Sequence, residues 1–297
     1  ESRLKELIKS MENVEFHFAL EGISGKGKKF LLETIKESKL FIQAKKIDST
    51  KSSWSELFEM MKKNKKYMKK NNQSIELEYY LKESISPVHY NLKNRKKHFE
   101  IRSSLYQLLG LPPNLIYGKD ILEVAPGSGH NSIYTATLLP NNYQLVEPNP
   151  IGCRDIIKIF KKLSIRHTKP KLKKTTLGNF KTKKLFDIVI TEGWPGGYLD
   201  FDKKMLKKLS SFVKPGGVML ISFFPPIGGM ATYLRRLIGN RIILNKDNFH
   251  NKTNLLDKAF SSHLKNLKSM SRSNKHWIQD SLLNPYICVA HNTPELC

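Results

Sequence analysis

Cysteine is scarce in this chain. Its 297 residues include three, Cys153, Cys288 and Cys297. They stand too far apart for a zinc cluster or a disulfide framework, so no metal is expected. A reducing, cytoplasmic setting is the default expectation. Long apolar stretches are also missing. No run approaches the roughly eighteen residues needed to cross a bilayer, so no membrane span is expected. No basic-apolar leader stands at the start, so no secretory segment is expected either. Acid is in short supply, with 26 Asp and Glu against 51 Lys and Arg, for a net charge of +25. That excess suits a nucleic-acid or other anionic partner. The lysines are spread along the whole chain, however, and spread charge mostly solvates a surface. No internal repeat is visible.

What is present divides in two. Residues 1–115 read as a helix-rich unit after one initial strand. In "WSELFEMMKKNKKYMKK" (54–70), Trp54, Leu57, Phe58, Met61 and Tyr67 share a helical face. In "KKHFEIRSSLYQLLG" (96–110), Phe99, Ile101, Leu105, Leu108 and Leu109 do the same, and Gly110 suits a helix C-cap. "LPPN" (111–114) then marks a boundary. From about 116 to 297 strands alternate with helices. "KDILEVA" (119–125), "YQLVEP" (143–148), "FDIVITE" (186–192) and "VMLISFF" (218–224) are the strands. "HNSIYTATLL" (130–139), "GCRDIIKIFKKL" (152–163) and "DKKMLKKLSSFV" (202–213) are the helices. "KPGG" (214–217) reads as a turn. This order predicts an α/β fold, a doubly wound and mainly parallel sheet with helices on both faces. Ligands of such sheets bind beyond the carboxyl ends of the strands, where strand order reverses.

Two glycine loops compete for the ligand. The first, "GISGKGKK" (22–29), has the glycine spacing of a phosphate-binding loop, and Lys28 fits it. Its next position should offer a hydroxyl to magnesium but holds Lys29, which has no acceptor atom. No convincing strand ending in a magnesium-binding Asp follows. A basic turn is the preferred reading, and ATP binding is not expected. The second loop is "EVAPGSGHNS" (123–132). Glu123 closes a strand, Gly127-Ser128-Gly129 opens a helix, and the following strand ends in Glu147. Glycines let the backbone approach a ligand, and an acidic strand end accepts hydrogen bonds from ribose hydroxyls. Nucleoside recognition follows from that pairing.

With these residues in view, 119–224 resembles the class I S-adenosylmethionine-dependent methyltransferases. "ILEVAPGSG" is similar to the family's first motif, "QLVEPNP" to its second strand end, "FDIVITEGW" to its fourth strand and "KPGGVMLISFF" to its fifth. The resemblance implies a Rossmann-like, seven-stranded sheet over about 116–297 and S-adenosylmethionine as cofactor. It implies that Gly127 and Gly129, in a loop with Glu123, Ala125, Pro126 and Ser128, approach the amino-acid portion. It implies that Glu147, with Pro148 and Asn149 beside it, holds the ribose, and that Asn179 and Phe180 of "TTLGNF" border the adenine. Ala125 departs from the family, which commonly has glycine there. A Rossmann dehydrogenase is the rival reading, disfavoured by "KPGG" and by the Glu-Pro after the second strand.

Methyl transfer asks the protein mainly to position a nucleophile, and a hydroxyl or amine acceptor can also need a base. Candidates are Glu192 at the fourth strand end, His130 beside the loop, and His276 or Asp280 of "HWIQD", with His276 and Glu192 preferred. Bland readings stand beside them: His130 as a helix cap, and His276 with Asp280 as a surface pair. The Asn/Asp-Pro-Pro-Tyr/Phe signature of many nucleic-acid amino-methylating members is missing from "TEGWPGG" (191–197). Trp194, Arg235, Arg236 and Trp277 are expected around the acceptor, because paired arginines suit a phosphate or carboxylate. The leading expectation is a small, anionic acceptor, such as a phosphorylated or nucleotide-linked sugar. An RNA methyltransferase using the basic surface and a non-catalytic binding module are the alternatives. Oligomeric state and the role of residues 1–115 are not readable.

Overall fold

The computed structural model describes residues 75–86, 89–196, 203–223, 232, 235–236, 238–243, 248–267 and 272–284. The loop at 22–29, the expected helix at 54–70, Cys288, Cys297 and the side chain of Trp194 lie outside the described residues.

Three helices come first: α1 (Ile75–Lys82), α2 (Arg95–Leu108) and α3 (Pro113–Ile116). The alternating part follows as β1 (Asp120–Val124), α4 (Ser132–Thr137), β2 (Asn142–Val146), α5 (Pro150–Lys161), β3 (Lys171–Lys173), β4 (Phe186–Gly196), α6 (Lys203–Ser210) and β5 (Val213–Phe223). Two further helices, α7 (Phe249–Lys265) and α8 (Asn274–Ser281), follow β5. The sheet has the order β3-β2-β1-β4-β5, and every neighbouring pair is parallel. The chain therefore leaves β1 to one side and returns past it to the other. The reversal falls between β1 and β4, which is where the carboxyl ends of a doubly wound sheet leave room for a ligand. Five strands are described against the seven expected. Residues 285–297 lie outside the description.

Period-two alternation explains how one strand serves two cores. On one face Ile121 of β1 joins Tyr143, Leu145, Ile188 and Ile190, covered by Tyr106 of α2, Tyr134 of α4 and Ile156 of α5. On the other face Leu122 and Val124 join Val146 and Val189, covered by Leu177, Phe180, Leu209 and Phe212. Both faces are thus covered, as a parallel sheet requires. Glu123 has the parity of Ile121 and enters the first core.

Two local readings change in the folded chain. "KPGG" lies within β5 as an irregularity. Phe186 pairs with Val213 and Ile188 with Val218, so one strand gains extra residues against its partner. Gly217 is required there, because a Cβ would sit 2.8 Å from the Asp187 carbonyl oxygen.

The second change concerns α2. Asn94 caps its start, accepting from the Lys97 N–H at 2.9 Å. Gly110, at φ 76°, ends it as expected. Its N–H donates to the Gln107 carbonyl and that of Leu111 to the Tyr106 carbonyl, which together form a Schellman motif. The buried face is the surprise. His98, Arg102 and Tyr106, spaced four apart, turn inward. Of the expected apolar face only Phe99 packs on the core. Ile101, Leu105, Leu108 and Leu109 are exposed. The helix is oriented by polar partners in the sheet, described next, and not by its richest apolar stripe.

Candidate functional site

The glycine loop occupies the carboxyl end of β1. Ala125, Gly127 and Gly129 all have positive φ, at 56°, 59° and 74°. Left-handed backbone is easy for glycine but strains alanine, so Ala125 holds a conformation that favours the residue it replaces. The loop is seated against α5. A Cβ on Gly129 would lie 2.8 Å from Ile156 Cγ1, and one on Gly152 would lie 2.7 Å from the Gly127 carbonyl oxygen. α5 is capped by Asn149, whose side chain accepts from the Ile151 N–H at 2.9 Å, with Pro150 as its first residue. The Asn149 amide also donates to the Ile85 carbonyl at 2.9 Å, tying the loop region to the segment after α1.

Two carboxylates are buried beneath this loop. Glu147, at the end of β2, accepts the Gly127 N–H at 2.9 Å on one oxygen and the Asn149 N–H at 2.8 Å on the other. Burial raises its pKa to about 7, against the opposing pull of those two N–H groups. Glu123 accepts from the Ser132 hydroxyl at 3.0 Å and from the Tyr143 hydroxyl. Burial lifts it to about 7 as well. Cys153, at the start of α5, donates its thiol to the Glu147 carbonyl at 3.2 Å, and burial raises its pKa to about 11. It packs as a structural thiol, since a nucleophile would need a lowered value.

Across the switch point stands Glu192 of β4. It accepts from the Arg102 guanidinium and, at 2.7 Å, from the Tyr106 hydroxyl. Those two donors explain the inward turn of α2. Burying arginine and tyrosine is costly unless both find partners.

The strap between α1 and α2 completes the rim. Tyr90 forms an antiparallel bridge with Arg272, just ahead of α8. Arg272 donates to Asp280 at 2.7 Å and lies 5.5 Å over the Tyr90 ring. Asp280 also accepts from the Tyr80 hydroxyl at 2.7 Å, so it is buried and unconnected to His276. The bridge places His89 in a cluster of imidazoles. Its ring is stacked on His276 at 4.6 Å and meets His130 edge-on at 5.1 Å. Its Nε2 lies 3.3 Å from Asp155 Oδ2 of α5. His130 Nδ1 is 2.5 Å from the Ser128 hydroxyl, and His98 Nε2 is 3.0 Å from the His130 carbonyl oxygen. His276 Nδ1 is 3.0 Å from the hydroxyl of Ser273, the cap of α8. Among the described residues no group of His, Cys, Asp and Glu is arranged to hold a metal ion.

The remaining expected residues are placed as follows. Arg235 donates to His263 at 2.9 Å and lies 5.8 Å from the Trp277 ring, so those two are neighbours. Arg236 is buried, with its charge felt by Tyr79 of α1. Phe180 sits in the second core, edge-to-face with Phe212 at 5.4 Å, while Asn179 is exposed in the turn before it. A cleft of about 460 Å³ lined by Tyr117, Asn141, Arg166 and His167 opens at the opposite, amino end of β1 and β2, away from all of these groups.

Sequence reasoning missed His89, Asp155, Arg102 and Tyr106. A stripe of polar and aromatic residues at spacing four was available for the α2 pair. Nothing local singles out His89.

No protein-family model and no curated protein matches the chain. Solved structures do match. The chain is similar to S-adenosylmethionine-dependent methyltransferases. One is N-methyltransferase NodS from Bradyrhizobium japonicum WM9 in complex with S-adenosyl-L-homocysteine, 16% identical with a TM-score of 0.33, covering 44% of this chain and 63% of that one. A second is an S-adenosylmethionine-dependent methyltransferase from Clostridium acetobutylicum ATCC 824, at 19% and 0.36, covering 46% and 58%. A third is magnesium protoporphyrin IX methyltransferase from Synechocystis PCC 6803 with bound S-adenosylmethionine, at 15% and 0.35, covering 44% and 61%. The chain spans less than two thirds of the length of each of these structures. Among the described residues no helix is long and apolar enough to cross a membrane.

Proposed function

We propose that the chain is an S-adenosylmethionine-dependent methyltransferase acting on a small acceptor. One observation carries the reading. A loop with three left-handed residues ends the central strand, and it is closed from beneath by an acidic residue at the end of the next strand, beside the point where strand order reverses.

The residues suit the cofactor. Each Glu147 oxygen accepts one backbone N–H and keeps a second lone pair, but the residue is only 3% exposed, so ribose hydroxyls would reach it only as the covering loop makes way. Gly127 and Gly129 would lie along the amino-acid portion, with Ala125, Pro126 and Ser128 shaping the turn, and Pro148 and Asn149 would flank the ribose. Asn179 is the exposed candidate for the adenine side. When bound, the cofactor supplies a methyl group on a positively charged sulfur.

The chain's own groups do the rest. Glu192 is neutralised by Arg102 and Tyr106, which makes it an anchor for α2 at the rim. Taking a proton there would leave a buried guanidinium unpaired, so this pair favours positioning over base catalysis. His276 stands at the rim within the imidazole cluster. Arg235 beside Trp277 is the place where an anionic group on the acceptor would be met, through fork-like contacts. We infer that residues 75–115 serve the acceptor side of this site, since α1, the strap and α2 all contact it.

Calorimetry with S-adenosylhomocysteine tests the proposal. The full chain should bind it, and Glu147→Ala should weaken binding by roughly 2–3 kcal/mol, as for lost hydrogen bonds to a charged group. Unchanged affinity in the variant would remove Glu147 from the site.

A further inference from the structure

We propose that His89, with Asp155 against one nitrogen and the rings of His130 and His276 packed on it, is the proton acceptor for the hydroxyl or amine that is methylated. This rests on the methyltransferase reading.

Five parts of the chain converge here: the strap after α1, α2 with His98, the first residue past the glycine loop, α5 with Asp155, and the first turn of α8. Apolar side chains would fill such a junction at lower cost than half-buried imidazoles. The four histidines are not equivalent. His130 faces His89, His98 and His276 and has no anion beside it. Burial and those neighbours lower its pKa to about 4, so it is neutral at physiological pH. His276 faces His89 and Arg272 across the stack, with Asp155 more remote, and is also lowered. His98 faces the His130 carbonyl and Arg102, and is lowered too. His89 alone has a carboxylate in contact. Burial outweighs the pull of Asp155, so its pKa is lowered as well. What sets it apart is the contact: an imidazolium at His89 would have a carboxylate 3.3 Å away to balance it.

The contact also distinguishes the two ring nitrogens. Nε2 lies 3.3 Å from Asp155 Oδ2, close enough for the charges to interact although that oxygen makes no hydrogen bond, so the step asks for the hydrogen on Nε2 and a lone pair on Nδ1. In the step proposed, the acceptor's O–H or N–H bond breaks and its electron pair stays on the acceptor atom. The proton goes to His89 Nδ1, and Asp155 balances the imidazolium at Nε2. The His89 side chain is 28% exposed, so a small molecule can reach it and solvent can later remove the proton.

The test compares two probes that differ by one charge. S-adenosylmethionine carries a sulfonium, and S-adenosylhomocysteine a neutral sulfur. Histidine resonances of the full chain are titrated by NMR with each bound. His89 is assigned from His89→Gln, or from its through-space contact with the His276 ring if that variant does not fold. A ring beside the reacting centre should titrate about one pH unit lower with the sulfonium than with the sulfide, the size expected for a unit charge within ~10 Å at an effective dielectric near 20. Asp155→Asn should lower the His89 titration by a similar amount, and nitrogen shifts should show the hydrogen on Nε2. Identical His89 titrations with both probes bound would overturn the proposal. So would a hydrogen on Nδ1, or an Asp155→Asn protein whose His89 titration is unmoved. Failure of either probe to bind would instead bring down the methyltransferase reading itself, and this proposal with it.

Discussion

The guanidinium of Arg102 closes on the carboxylate of Glu192 across 90 residues of sequence. With the Tyr106 hydroxyl on the same carboxylate, that pairing holds the His98, Arg102 and Tyr106 face of α2 inward.

Breaking the pair from one side should cost far more than removing it whole. Arg102→Met strands a largely buried carboxylate, and about 3 kcal/mol of stability should be lost. Combining it with Glu192→Leu should recover most of that loss, because an apolar pair needs no partner. Urea denaturation of both singles and the double checks this. Strictly additive losses would show that the two groups do not depend on each other.

Ala125 offers a gain in place of a loss. Its left-handed backbone costs an alanine about 1–2 kcal/mol, against roughly 0.5–1 kcal/mol for the extra freedom of an unfolded glycine. Ala125→Gly should therefore raise stability by about half to one kcal/mol and keep S-adenosylhomocysteine affinity. A lower melting temperature in the variant would mean that the methyl group makes contacts worth more than the strain.

Cofactor affinity should depend on pH through Glu147. In the free chain its pKa is raised to about 7 by burial. Ribose hydroxyls donate to the anion and so favour the deprotonated form. Binding should be constant above about pH 8 and weaken toward tenfold per unit below about pH 6. Glu147→Gln should bind more weakly and show a flat profile over the same range. A wild-type affinity independent of pH from 5 to 8 would contradict the linkage.

Stability should respond to Glu123 in the opposite sense from the usual carboxylate. Its folded pKa of about 7 lies above the ordinary value of 4.5. The native state therefore holds the proton more tightly than the unfolded chain. The stabilising contribution is complete below about pH 4.5 and lost as pH rises through 7. Glu123→Gln should melt higher than the parent at pH 8, by the equivalent of about 2 kcal/mol, and near the parent at pH 5. Melting curves at the two pH values decide it, and an equal difference at both would refute the assignment.

The sheet was legible because its strands are short apolar runs and its turns are glycine-rich. "KDILEVA", "YQLVEP" and "FDIVITE" each became the strand expected, and "EVAPGSG" the loop. What misled was the assumption that a helix buries its most apolar stripe. In α2 the buried positions are His98, Arg102 and Tyr106, and their reason lies in Glu192, far along the chain. "KPGG" has the composition of a turn, yet its neighbours keep pairing with β4 on either side, which no local pattern reveals. His89 was invisible for a related cause. A lone histidine in "SPVHYN" acquires meaning only when a bridge from Tyr90 to Arg272 draws it against α8. His276 was singled out as a candidate base and Asp155 was not, although Asp155 is the group that distinguishes His89 from its neighbours. It is embedded in "GCRDIIKIF", where it reads as a solvated helix position.

The Tyr80 hydroxyl meets Asp280 across 200 residues, and the strap's bridge to Arg272 spans a comparable length. Such contacts are the last that a growing polypeptide can make. A ribosome will have released β1 through β5 well before α8 emerges, and parallel strands already in hand can pair without it. The rim must wait until its distant half arrives, and closing so long a loop is slow. During synthesis this chain should therefore pass through a stage in which the sheet and its glycine loop are formed and His89 has no His276 to stack upon.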